Sequence, residues 1–390
     1  MKTAARGPLA GVNVLEFAGI GPGPFAGMMF SDLGANVLRV ERPGASDPTR
    51  DRIDLRGRTS LALDLKQPAA VSLILELCES VQMVIEGARP GVMERLGLGP
   101  EALLARNPQL VYGRVTGWGQ FGPLSRAAGH DINYLSLTGA LHSIGPADKP
   151  VPPLNLAADY GGGALFLIAG LLAGLIHSRA TGQGQVVDAA MTDGASYLMT
   201  LFYSMLAGKR WVDQRGVNPL DGGAPFYNTY QCSDGRWISV GSIEPQFYAL
   251  LIQHSGATEL MQRQQMDRMS WPTMKETLAR VFRTRTRDEW CEIMENTDVC
   301  FAPVLSLREA PHHPHNLARE TFVELDGVTT PAPAPRFSAT PSAIQFGPRP
   351  IGRGVRETLC AWGLSALKVD ELAAAGLFPD ERGRAERMGD

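Results

Sequence analysis

A strand, a glycine–proline turn and a helix open the chain, and they narrow its possible folds more than any later stretch. Val12-Asn13-Val14-Leu15-Glu16-Phe17-Ala18 is mostly apolar and reads as a buried strand. Gly19-Ile20-Gly21-Pro22-Gly23-Pro24 follows as a tight turn. Phe25 to Leu33 reads as a helix, with a proline suited to its first turn and Gly34 as its stop. Asn36 to Glu41 is the next strand. This is a βαβ unit, and it predicts an α/β fold with a parallel, doubly wound sheet. The turn lies close to a dinucleotide fingerprint, Gly19-x-Gly21-x-x-Pro24, with Glu41 ending the second strand. Pro24 stands where a third glycine would allow close packing. Arg39 and Arg42 flank Glu41 and suit a phosphorylated adenosine better than a free ribose diol. A nicotinamide cofactor is therefore disfavoured.

The next strands carry cations at their ends. Ser60 to Lys66 alternates like a strand, Pro68 to Ser80 is an amphipathic helix, and Val81 to Glu86 is a short strand ending in Gly87-Ala88-Arg89-Pro90-Gly91. Leu110 to Val115 runs into Thr116-Gly117-Trp118-Gly119-Gln120. Arg42, Lys66 and Arg89 thus fall where strands end, the edge at which open α/β sheets bind ligands. Scattered cations are usually solvated surface, so their position carries this signal rather than their number.

The candidate chemistry sits between Gly129 and Gly163. The stretch opens Gly129-His130-Asp131-Ile132-Asn133-Tyr134 and closes Asn155-Leu156-Ala157-Ala158-Asp159-Tyr160-Gly161. The sequence after Asp159 is helical, which places Asp159 at a helix start. Free N–H groups and the helix dipole there are expected to lower its pKa. N–H groups near Asp159 and Gly161 could also hold a developing oxyanion. A base and an acid flanking one pocket could remove and return a proton at carbon. Taken alone, a core histidine and an N-cap explain His130 and Asp159 better.

Composition excludes several classes. The chain has 390 residues, enough for two or three domains, and a formal net charge of −3 that gives no reason to expect nucleic acid. Its 5 cysteines show no metal or redox spacing and are expected to be reduced thiols of a cytoplasmic protein. No secretory h-region opens it. The apolar run Ala164 to Ile176 is too short to span a bilayer and reads as a buried helix packed through Gly170 and Gly174. His312-His313-Pro314-His315 lacks ligand spacing, so no metal site is expected.

Past Gly184 to Ala189, a strand, Thr192 to Leu206 reads as one helix and Gly208 to Pro225 as a polar linker. Phe226 to Gln231 and Arg236 to Val240 flank Ser233-Asp234-Gly235, a hairpin signature. Pro245 suits the first position of a helix, so Glu244 falls at its cap, and a capping role is its simplest reading. Met191, Met199, Phe202 and Met205 could form an apolar surface for a ligand tail, although at helical spacing such residues are more often core. A proline-rich stretch, Thr329 to Pro350, and a helical segment, Thr358 to Ala375, close the chain.

Ordered blocks along the chain resemble the class III (CaiB/BaiF-type) CoA-transferase family, and within it the α-methylacyl-CoA racemase branch. They are Gly19 to Pro24, Asp32 to Val37, Val40 to Pro43, Arg89 to Val92, Gly117 to Gln120, Gly129 to Tyr134, Asp221 to Pro225 and Ile243 to Tyr248. The resemblance implies a Rossmann-like large CoA-binding domain over 1–210, a linker over 211–225 and a small α+β domain over 226–328. It also implies a proline-rich return segment with a C-terminal helix on the large domain over 329–390, and an interlocked homodimer. By the same resemblance the catalytic residues are His130, Asp159 and Glu244. CoA contacts would come from Arg42, Leu63, Asp64, Leu65, Lys66, Gly87, Ala88, Arg89, Arg95, Gly129, Asp131, Ile132, Asn133 and Tyr134.

The implied reaction is inversion of the α-carbon of a 2-methyl-branched acyl-CoA thioester by two-base proton transfer through an enolate, a step in lipid metabolism. By the resemblance His130 would serve the face of the S substrate, Asp159 that of the R substrate, and Glu244 would hold the imidazole. No metal, redox cofactor, nucleic acid or membrane is expected to take part; CoA enters with the substrate. The alternative within the family is CoA transfer between carboxylic acids through an aspartyl anhydride on Asp159. A non-catalytic acyl-CoA binding protein is a third reading.

Overall fold

The computed structural model describes residues 7–378. Its strands are β1 Asn13–Phe17, β2 Asn36–Glu41, β3 Arg58–Ala62, β4 Met83–Glu86, β5 Val111–Thr116 and β6 Gln185–Ala190. Among the described residues these six form one sheet in the order β3-β2-β1-β4-β5-β6, parallel at every pairing. This is the doubly wound order in which the chain reverses direction beside β1, opening a crevice between the carboxyl ends of β1 and β4.

The expected βαβ unit is present, with helix Pro22–Asp32 between β1 and β2. β3 begins earlier than the alternation of Ser60 to Lys66 suggested. The reason is Arg58, a charged residue that the strand buries fully against the Glu16 carboxylate. Hydropathy alone cannot see such a pair. Thr192 to Leu206 is two helices rather than one, Met191–Leu198 and Thr200–Ala207.

The helix after Asp159 is longer than expected. A π-helical opening, Leu156–Ala164, continues as α-helix Leu165–Thr181. Its 26 residues are long and apolar enough to cross a membrane by length and composition. In the fold it covers β5 and β6. A methyl group placed on Gly174 would stand 2.6 Å from Val111, and one on Gly170 would stand 2.6 Å from Val187. Glycine at both positions lets the helix lie directly on the sheet.

The chain divides into two compact units. The first contains the residues up to Leu137, Leu154–Leu198 and those from Glu320 onward; the second contains Thr138–Pro153 and Met199–Arg319. The first unit's core joins Leu15, Leu38, Leu61 and Val84 of the sheet to Val355, Leu359 and Trp362 of the returning segment. Arg56 ties that segment down. Its guanidinium pairs with the buried Asp32 carboxylate at 2.6 Å and donates to Thr330 Oγ1 at 2.9 Å. The second unit carries an antiparallel sheet of β7 Tyr227–Gln231, β8 Trp237–Gly241 and β9 Phe301–Val304. Helices Pro245–Ser255 and Trp271–Phe282 contribute Leu251, Met274 and Leu278 to its core, with Trp290. Residues 208–225 of this unit are a knit loop, in which the Asp221 carboxylate accepts the N–H groups of Gly216, Asn218 and Gly223.

Candidate active site

The first unit holds a cavity of about 860 Å³ along the carboxyl ends of its strands. Its walls come from the β1 turn through Gly23, from Arg42 after β2, from Gly87 to Pro90 after β4, and from Thr116 to Trp118 after β5. The helix that follows β1 begins with Pro22 and carries Pro24 in its first turn. Prolines lack N–H groups, so this helix start has few donors for a diphosphate, which agrees with the disfavoured nicotinamide reading.

His130 and Asp159 both line this cavity. His130 is exposed at the start of helix Asp131–Ser136, with its backbone N–H held by Asn133 Oδ1 at 3.1 Å. Asp159 is half-buried in the first turn of its helix. It does not benefit from that helix start as expected. The neighbouring N–H groups of Ala158 and Asp159 both donate to Asp131 Oδ2, each at 2.8 Å. Asp131 is therefore the anion that the helix terminus stabilises. The Asp159 pKa is raised, first by burial and then by the Asp131 charge; a hydrogen bond from Asn155 and the nearby His130 oppose the rise. The expectation of a lowered pKa is thus reversed. The Asp159 N–H, spent on Asp131, is likewise no free oxyanion donor.

The rest of the lining shapes this end of the cavity. Tyr134 is buried, donates to the Gly129 carbonyl and packs edge-on against Trp118 at 4.8 Å and 86°. Tyr160, in the lining, packs against the Phe25 ring at 4.8 Å with the two planes tilted by 33°. Gly21 has φ of +69°, and a methyl group there would stand 3.4 Å from Asp159 Oδ2. Glycine at this turn therefore satisfies a left-handed backbone and also keeps the approach to the carboxyl open.

The residues assigned to CoA by resemblance separate into groups. Arg42, Leu65, Gly87, Ala88, Arg89, Gly129 and Tyr134 line the cavity. Arg42 and Arg89 are exposed, and among the described residues neither guanidinium is in an ion pair. Leu63 is buried in the hydrophobic core. Asp64 accepts the Lys66 N–H at 3.1 Å, and Lys66, Arg95, Ile132 and Asn133 are exposed side chains outside the lining. Asp131 is buried behind the cavity, with its Oδ1 lacking a hydrogen-bond partner. Arg39, read as a possible phosphate ligand, is instead buried between Glu16 and Glu41.

Glu244 belongs to the second unit. It occupies the N-cap position of helix Pro245–Ser255, yet its side chain makes no capping hydrogen bond and is exposed. Capping is thus not its role, and the carboxylate is left available. The residues sequence reasoning missed are Asn155, Gly21 and the link from Asp131 to Asp159. The first two lay in view, four residues before Asp159 and inside the glycine–proline turn; the third had no local signal.

The sequence model of CoA-transferase family III matches residues 9–353. The chain is 43% identical to a mouse protein named alpha-methylacyl-CoA racemase over 381 residues, 97% of this chain and 99% of that one. It is 42% identical to the human protein of that name over 386 residues, again 97% and 99%. The solved structure of a CaiB/BaiF family protein from Brucella suis superimposes with a TM-score of 0.77 at 24% identity, covering 92% of this chain and 100% of that one. That likeness supports the fold. Family match, long identities and site-bearing sheet agree: the chain belongs to CoA-transferase family III.

Proposed function

We propose that this chain is an α-methylacyl-CoA racemase that inverts the α-carbon of 2-methyl-branched acyl-CoA thioesters. The observation that carries the reading is the presence of His130 and Asp159, a carboxyl whose pKa is raised by burial and by the Asp131 charge, in the lining of one cavity. Its relatives named alpha-methylacyl-CoA racemase support it over nearly their whole length.

The thioester acidifies its α-proton. In one direction neutral His130 takes that proton and protonated Asp159 delivers another to the opposite face of the planar enolate; the reverse direction exchanges the roles. A carboxyl with a raised pKa suits this duty, because it must be protonated in one half of the cycle and basic in the other. The exposed Arg42 and Arg89 at the cavity rim suit the phosphates of CoA. An interlocked dimer belongs to the proposal, with Glu244 of the partner subunit holding the His130 ring and stabilising its cation.

His130→Ala and Asp159→Ala tests the assignment. Each variant should lose about 10²–10⁴-fold in racemisation, while CoA binding measured by calorimetry persists. Wild-type turnover in both would overturn it. The family alternative, in which Asp159 attacks as a nucleophile, gives His130 no evident task.

A further inference from the structure

The opposite end of the parallel sheet carries a second cleft, of about 460 Å³. Its floor is the start of β2 and β3, at Asn36, Val37 and Thr59, and its rim is the returning segment, at Phe346, Arg349 and Arg353. It lies at the amino ends of the strands, away from the cavity that holds His130 and Asp159.

The rim is prepared for an anion. The Arg349 guanidinium lies over the Phe346 ring, 3.4 Å from its centroid. A guanidinium held by its face keeps its edge N–H groups for another partner and loses little freedom on binding one. Among the described residues, neither Arg349 nor Arg353 has a carboxylate within ion-pair distance. By contrast, Arg39, Arg56, Arg58 and Arg114 of the same unit are each neutralised by one. Burial, and behind it the Arg353 charge, depresses the Arg349 guanidinium. The two cations line one cleft and repel each other. Glu357 also lines the cleft, without pairing with either arginine.

We propose that this cleft binds a phosphate-class oxyanion between Arg349 and Arg353. Paired guanidinium groups match phosphate oxygens with parallel hydrogen bonds. The volume admits a phosphomonoester as well as free phosphate.

Phosphorus NMR at fixed ionic strength tests this, with inorganic phosphate titrated into the full chain. Wild type should show saturable broadening. Arg353→Gln, which alters an exposed side chain and leaves the fold safe, should weaken it about tenfold or more. Arg349→Gln with Arg353→Gln should abolish it. Glu357→Gln removes a competing negative charge and should tighten it. Arg42→Gln with Arg89→Gln, which alters the CoA cavity, should leave the Arg353-dependent part of the broadening in place. Adenosine 3′,5′-bisphosphate then separates the sources. Competition at the Arg349–Arg353 site supports an ester ligand; intact phosphate binding without competition supports the free anion. Wild type without saturation, Arg353→Gln equal to wild type, or loss only in the Arg42/Arg89 variant would each overturn the proposal.

Discussion

The Asp131 carboxylate holds the backbone N–H groups of both Ala158 and Asp159, and its charge adds to burial in raising the pKa of the Asp159 carboxyl. One acidic residue thereby takes the helix terminus, and the other acid is left with a raised pKa. The two reactive forms, neutral His130 with protonated Asp159 and His130 cation with ionised Asp159, contain the same number of protons. The pH profiles of kcat/KM in the two directions must therefore coincide, as one bell belonging to the pair. Asp131→Asn removes a like charge and should move the acid limb to lower pH in both directions. An unmoved acid limb would mean that Asp131 does not set the Asp159 proton.

Removing one base should separate exchange from inversion. In His130→Ala, Asp159 can still take a proton from the face it serves and return one to the same face. That variant should exchange the α-proton of the R substrate with deuterated water while forming almost no S product. Asp159→Ala should show the mirror behaviour with the S substrate. NMR of the α-proton beside chiral analysis reads both, and equal residual exchange of both enantiomers in either variant would contradict the division of faces.

The raised pKa of Asp159 also has a stability consequence. Its folded-state value lies above the ordinary aspartate value of 3.8. The stabilising contribution of its protonated form is thus full below that value and is lost as pH rises through the folded pKa. Asp159→Asn escapes this loss. Its Tm relative to wild type should therefore increase from acid to neutral pH and then level off. A difference independent of pH would argue against the burial and Asp131 repulsion described here.

Two helix starts in the second unit make a contrast. Thr286 caps helix Arg287–Met294 through a reciprocal pair with Glu289, whereas Glu244 makes no side-chain bond at its own helix. Thr286→Ala should cost about 1 kcal/mol. Glu244→Ala should stay within about 0.5 kcal/mol of wild type and still lower racemisation. Urea denaturation with a turnover assay checks both; a strongly destabilised Glu244→Ala would return that residue to a structural role.

Arg56 joins Asp32 to the β-hairpin that follows Glu320. Both partners are buried, so Arg56→Ala strands a carboxylate whose pKa burial already raises. The expected loss is about 3–5 kcal/mol, read from urea midpoints. A loss below about 1 kcal/mol would show that Asp32 finds water or protonates without strain.

Much of the architecture was legible because it follows from local periodicity. The βαβ opening, the β7–β8 hairpin and the helix at Pro245 lie where apolar runs and turn residues place them. The start of β3 was hidden because Arg58 is inside only by virtue of Glu16, 42 residues away. The link from Asp131 to the start of the Asp159 helix was hidden for the same reason. The partners of Asp131 at Ala158 and Asp159 lie 27 and 28 positions along the chain. A sequence therefore shows an acid at a helix start but not which acid takes the N–H groups. Glu244 shows the converse, since its position predicted a cap and only the geometry shows the side chain free.

The central claim is two-base proton transfer between His130 and Asp159, and the most direct measurement is solvent exchange at the α-carbon. A single enantiomer of a 2-methylacyl-CoA is incubated with wild-type protein in deuterated water, without any acyl acceptor. Loss of the α-proton signal with formation of the opposite enantiomer is the predicted result. Retention of both proton and configuration, with an acyl group on Asp159 that hydroxylamine releases, would contradict the account and assign the chain to acyl transfer.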